Sequence, residues 1–144
     1  MEGEISQSLD GIKAVFLDLD GTIYLGDSLI DGALGFLERL EARGIKRYFL
    51  SNNSSKSVEQ YLGKLRDLGI RADKDEVLLS THDLISWLRK EEVTSTFLVG
   101  TEGMRSMLEE EGIETSSEQP EFVVLGYDTE ISYEKLATAS IHLH

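Results

Sequence analysis

The sequence predicts an α/β chain whose strands run parallel. Short apolar runs alternate with longer segments that carry apolar residues at helical spacing. Glycines follow several of the helical segments, at the position where a left-handed residue closes the last turn. The strand-like runs are also apolar at consecutive positions, as expected where a parallel sheet is covered on both faces.

In order, Ala14-Val15-Phe16-Leu17 opens a first strand that runs to Leu19. Asp31 is placed to cap a helix running through Arg43, with Ala33, Phe36, Leu37 and Leu40 on one face and Gly44 as its stop. Arg47 to Leu50 reads as the second strand. Ser57 to Leu68 reads as a helix that turns Val58, Tyr61, Leu62, Leu65 and Leu68 inward and ends at Gly69. Val77-Leu78-Leu79 is a third strand, which completes a β-α-β-α-β unit with right-handed crossovers. A second unit follows: a helix over 83–90, a strand over 95–99, a helix over 102–111 ending at Gly112, a strand over 122–125, and a last helix from Tyr133 to about Ser140. The boundary between the units is drawn at Ser80-Thr81. Trp87, Met104 and Met107 fall on helices and read as packing residues.

The bulk numbers exclude several classes of function. A chain of 144 residues with 14 basic and 27 acidic side chains, net charge −13, does not suit nucleic acid or an anionic membrane surface. A small anion is still compatible, because a metal ion or a helix N-terminus makes a local positive site. The lack of cysteine removes disulfides, thiolate catalysis and Cys-ligated zinc. The start, MEGEISQSLDG, has no apolar signal-like core, and no apolar run is long enough for a membrane span, so the expectation is a cytoplasmic protein. Disorder is expected only in the first ten residues or so and the last few.

The chemistry concentrates at the ends of the first two strands. Asp18 and Asp20 in Asp18-Leu19-Asp20-Gly21-Thr22 lie one strand period apart, on one side of the backbone. Ligands of parallel α/β sheets bind beyond the carboxyl ends of the strands. Two adjacent carboxylates repel each other unless a cation or a shared proton relieves them, and Mg²⁺ with its preference for oxygen suits such a pair. Gly21 permits a sharp turn immediately after them. The second strand ends in Ser51-Asn52-Asn53-Ser54, residue types that also serve as ordinary helix caps.

DLDGT after an apolar strand, followed by SNNS after the next, resembles the first two motifs of the haloacid dehalogenase superfamily. DLDGTIY, FLSNNS and the later GYDTEISYEKLATA are similar to its NagD-like, 4-nitrophenylphosphatase and phosphoglycolate-phosphatase-like branch. The resemblance runs from about Ile12 to Ala139. It implies a partial Rossmann-like core over 1–80 and most of an α/β cap over 81–144. It further implies Mg²⁺-dependent hydrolysis of a small phosphorylated metabolite through an aspartyl-phosphate. Asp18 would be the nucleophile and Asp20 the general acid and base. The metal would sit on the Asp18 carboxylate and the Asp20 backbone carbonyl. Gly21, Thr22, Ser51, Asn52 and Asn53 would hold the phosphate, with Asn53 and Ser54 leading into a helix N-terminus.

The sequence departs from that family after Leu125. Neither the lysine of the third motif nor the acidic pair of the fourth follows, and Lys13, Lys46, Lys56, Lys64, Lys74, Lys90 and Lys135 all lie in other contexts. The first strand would then be a sheet edge, which invites pairing with another chain, a homo-oligomer included. The leading expectation is a portion of a longer phosphatase. The alternatives are a site completed by a second chain, and a phosphate-binding or interaction module without chemistry. Asp27 reads as a turn residue and His82 as a loop or cap residue. His142 and His144 read as residues of a frayed end.

Overall fold

A computed structural model describes residues 11–144, so the expectations about the first ten residues lie outside the described residues. The strands are β1 (Ala14–Asp18), β2 (Tyr24–Leu25), β3 (Ser28–Leu29), β4 (Lys46–Ser51), β5 (Val77–Leu79), β6 (Thr96–Val99) and β7 (Phe122–Leu125). The helices are α1 (Ala33–Ala42), α2 (Val58–Asp67), α3 (Ser80–Lys90), α4 (Glu102–Glu110) and α5 (Tyr133–His142), with one 3₁₀ turn over Lys74–Glu76. The α/β class and the parallel pairing are as the sequence predicts.

The first sheet has the order β1-β4-β5, with both neighbouring pairs parallel. Phe16 registers with Tyr48 and Asp18 with Leu50, and Ser51 registers with Leu79. Alternate residues therefore share a face. Leu17, Phe49, Ser51, Val77 and Leu79 are buried. Phe16, at 60% exposure, and Leu50, at 37%, belong to the opposite face. The strand order explains the asymmetry. It advances in one direction, and two right-handed crossovers along such an order place both connecting helices on the same side. Helix α1 packs on β4 and α2 on β5. Phe16 and Tyr48 stack on each other across the open side, with ring centroids 5.2 Å apart.

The helices end largely where the sequence places their stops. Gly44 (φ 66°) and Gly69 (φ 82°) take the left-handed conformation after α1 and α2. A capping box starts α2: Ser57 Oγ accepts the Gln60 N–H, and Gln60 Oε1 accepts the Ser57 N–H at 2.8 Å. Several expectations need correction. Asp31 does not cap α1; Gly32, at φ 84°, holds that position without a side-chain bond, and the helix runs from Ala33 to Ala42. Helix α3 starts at Ser80, directly after β5, because His82 Nδ1 accepts the Leu79 N–H at 3.0 Å and closes the turn. Helix α5 continues two residues past Ser140 to His142, whose ring packs against Phe97 with centroids 5.1 Å apart. The β2–β3 hairpin is not foreseen in the sequence. Its turn is Gly26-Asp27, and Asp27 sits there as a turn residue, 3.6 Å from Lys64 Nζ.

A second parallel pair, β6 and β7, is joined through α4, with Thr96 registered on Phe122 and Val99 on Leu125. Segment 113–117 lies along β6, where Glu114 and Thr115 carbonyls accept the N–H groups of Thr96 and Leu98 at 2.8 Å. One continuous core runs from Leu17, through Leu65 and Leu88, to Val124. Met104 and Met107 are buried in it, whereas Trp87 is 44% exposed and meets Phe122 edge-on.

Candidate active site

The site is built on the carboxyl ends of β1 and β4, which the parallel register brings level. Strand β1 stops at Asp18, one residue short of the expected Leu19, because the chain turns there. Thr22 and Ile23 donate their N–H groups to the Leu19 carbonyl, and Gly21 donates to the Tyr24 carbonyl at 2.8 Å. A parallel bridge between Asp20 and Tyr24 completes the loop. Gly21 stands at φ 84°, a conformation costly for any residue with a Cβ. Leu19 is fully buried, while Asp18 and Asp20 on either side of it are exposed. The alternation expected of two carboxylates one strand period apart is thus present, although only Asp18 lies within the strand.

Beside Asp18, β4 delivers Ser51. The Asn53 N–H donates to Ser51 Oγ at 3.1 Å, and the Tyr61 hydroxyl lies 2.8 Å from the same oxygen. Asn52 is exposed, and its carbonyl accepts the Ser80 hydroxyl at 3.3 Å. Asn53 does not lead straight into a helix. Its Oδ1 accepts the Ser55 N–H at 2.9 Å, and α2 begins only at Val58. Gly21 and Thr22 are exposed on the turn that carries Asp20. Asp18 and Ser51 therefore end two neighbouring parallel strands, and Asp20, Gly21, Thr22, Asn52 and Asn53 lie in the two loops that follow them at one end of the sheet.

Two tyrosines that sequence reading treats as packing, or passes over, underlie this edge. Tyr24 and Tyr61 are both fully buried. The Tyr24 hydroxyl has no partner at normal hydrogen-bond geometry. Burial first, then the nearby Asp20 charge, hold its proton far above the ordinary phenol range. Lys64 Nζ stands 4.4 Å from the centre of its ring. Burial likewise raises Tyr61, the Ser51 hydrogen bond opposes that, and the Asp20 and Asp18 charges add to it.

The second half of the chain reaches this edge as well. Ser54 Oγ accepts the Tyr127 N–H at 2.8 Å, and the Thr101 hydroxyl donates to the Ser55 carbonyl at 2.7 Å. Gly126 approaches so closely that a Cβ there would strike Met104 and crowd Ser54 Oγ. No periodicity signals these contacts; the glycine after β7 is their one trace in the sequence.

The donor set suits a hard cation. Asp18 offers an exposed carboxylate, and none of the backbone bonds that close the turn ends on the Asp20 carbonyl. Among the described residues, no cluster of three or more His, Asp or Glu side chains is placed to hold a metal. The ligands on these loops are then few, as Mg²⁺ tolerates when it keeps several waters.

The exposed Asp18 closes the first strand with the exposed Asp20 in the turn after it, and Ser51 closes the neighbouring strand. The sequence model of the haloacid dehalogenase-like hydrolases matches residues 15–114, and the chain belongs to that family. An acid sugar phosphatase of Staphylococcus aureus is 39% identical over 133 residues, which are 90% of this chain and 51% of that protein. The 4-nitrophenylphosphatase of Thermotoga maritima superposes with a TM-score of 0.87 at 39% identity, covering 94% of this chain and 52% of that one. NagD of Escherichia coli shares the fold, with a TM-score of 0.81 at 21% identity over 92% of this chain and 53% of its own. The chain spans about half the length of the curated relatives it matches. Among the described residues, no helix is long and apolar enough to cross a membrane.

Proposed function

We propose that this chain supplies the nucleophile-bearing part of a phosphatase acting on small phosphomonoesters, sugar phosphates among them. The observation that carries the reading is the β1–β4 register, which sets Asp18 beside the end of the strand that delivers Ser51. The names of the relatives, an acid sugar phosphatase and a 4-nitrophenylphosphatase, support the substrate class. Residues 1–80 are assigned to the core and 81–144 to a cap over it.

In this reading an Asp18 carboxylate oxygen attacks phosphorus, and the bond to the leaving oxygen breaks. Asp20 gives that oxygen its proton. Water then attacks the phosphorus of the aspartyl-phosphate and gives a proton to Asp20. The Asp18–phosphorus bond breaks, releasing orthophosphate and restoring both carboxyl groups. Ser51 donates its hydroxyl to a phosphoryl oxygen, and the Asn52 N–H or side-chain amide is assigned to another; Gly21, Thr22 and Asn53, whose N–H groups are engaged within their own turns, shape the cradle around them. Mg²⁺, held by the Asp18 carboxylate and the Asp20 carbonyl, would neutralise charge on the transferring group.

The test is Mg²⁺-dependent release of 4-nitrophenol from its phosphate ester, for the wild type and for Asp18→Asn. Turnover that falls at least about 10³-fold in the variant supports the assignment, since the nucleophile is lost. Turnover retained in Asp18→Asn sinks it. Phosphate binding without turnover in the wild type favours the non-catalytic phosphate-binding alternative for these residues.

A further inference from the structure

We propose that Tyr61 is a positioning residue for phosphoryl binding: by donating its hydroxyl proton to Ser51, it leaves the Ser51 proton directed at the anion. The proposal rests on the assignment of Ser51 to the phosphoryl group made above. A serine hydroxyl has one proton to give and two lone pairs to fill. The Asn53 peptide N–H fills one of them at 3.1 Å. Tyr61 Oη lies 2.8 Å from the same oxygen, in surroundings that leave Ser51 only 6% and Tyr61 0% exposed.

Two proton arrangements satisfy that 2.8 Å contact. If Ser51 donates to Tyr61, the serine meets an incoming phosphoryl oxygen with a lone pair, and the two acceptors repel. If Tyr61 donates to Ser51, both serine lone pairs are filled and a single O–H is left, which is what an acceptor-only phosphoryl oxygen needs. Anion binding therefore selects the second arrangement. The fixed phenol means that Ser51 enters it without a search over hydroxyl rotors. The tyrosine proton is dependable at neutral pH, because burial chiefly, and then the Asp20 and Asp18 charges, hold it above the ordinary phenol range against the pull of the Ser51 bond. The capping box at Ser57 and Gln60 anchors the turn of α2 that carries Tyr61, so the phenol is placed by a helix.

The experiment is calorimetric titration of inorganic phosphate, with Mg²⁺ present, into the full chain as wild type, Ser51→Ala, Tyr61→Phe and the double variant. Tyr61→Phe keeps the ring, and a thermal melt of each variant checks that it is folded. We expect Ser51→Ala to weaken phosphate, and Tyr61→Phe to weaken it about 3- to 10-fold, the range of one hydrogen bond. The double variant should bind no more weakly than Ser51→Ala, because the two residues act as one unit. If Tyr61→Phe binds like the wild type while Ser51→Ala is weakened, the positioning role is wrong and the Ser51 assignment stands. If Tyr61→Phe costs as much with Ala at position 51 as with Ser, it acts through packing and the proposal is overturned. If wild type and Ser51→Ala bind phosphate alike, or neither binds it, the Ser51 assignment falls and the proposal falls with it.

Discussion

The two faces of the β1-β4-β5 sheet are nearly equal in sequence and opposite in environment. One presents Leu17, Phe49, Val77 and Leu79 to α1 and α2 and excludes water from them. The other presents Phe16, Tyr48 and Leu50, with Phe16 60% exposed. Residue types alone do not separate the faces, since β1 reads AVFLD and β4 reads KRYFLS. The face that is covered is decided by strand order and crossover hand, which are properties of the whole unit. An apolar strand thus reports that it can be buried on both sides; topology decides which side is.

The comparison predicts a hierarchy of effects. The largest belongs to the covered face: Phe49→Ala, at a site with 0% exposure, should cost about 3–5 kcal/mol in urea unfolding, enough to unfold a marginal domain. Phe16→Ser on the open face should cost less than about 1 kcal/mol, because only a partly solvated stacking contact with Tyr48 is lost. The same change should reduce self-association in sedimentation runs, since it removes apolar surface beside an edge strand. Equal costs at the two positions would show that something covers Phe16 in solution and would break the comparison.

The smallest effect concerns the ion pair between Lys74 and Glu59, 2.7 Å apart, which ties the turn before β5 to α2. The hydrogen bond from Lys74 is the main cause lowering Glu59, and the same bond raises Lys74. A lowered carboxyl stabilises the fold above its unfolded value of 4.5 and loses that contribution as pH falls through the folded value. A raised lysine contributes below 10.5 and loses it as pH climbs through its own folded value. The pair should therefore add a shallow plateau of stability between those limits. Lys74→Ala should flatten both shoulders in a pH series of unfolding midpoints, and only slightly, because the pair is half solvated. Shoulders unchanged by the substitution would assign them to other groups.

Much of the architecture was legible because it rests on period. Leu37, Leu40, Tyr61 and Leu65 repeat at helical spacing and are buried as that spacing requires. What was illegible depends on single local bonds. The start of α3 is set by His82 accepting the Leu79 N–H, which moves it ahead of Asp83. The β2–β3 hairpin has two residues per strand, too few to show an alternation. Asp18 and Ser51 stood out by residue type, and they end neighbouring parallel strands. The Tyr61 hydroxyl did not stand out, because a tyrosine on the inward stripe of a helix reads as bulk. Its polar tip acquires meaning only when β4 delivers Ser51 to it.

The hydrogen bonds from Thr101 to Ser55 and from Tyr127 to Ser54 have a consequence in time. Their partners are 46 and 73 residues apart along the chain, so the loop after β4 depends on segments synthesised long after it. Contacts at such separation bear a loop-closure penalty and form late in folding. At about 5–20 residues per second, a ribosome needs several seconds to make that intervening stretch. During that interval the α1–β4–α2 unit can already condense, while the Ser54 and Ser55 loop waits for its partners. In pulse-labelling hydrogen exchange the amide of Tyr127 should accordingly gain protection after those of α2, so that the loop after β4 is among the last parts of the chain to become rigid.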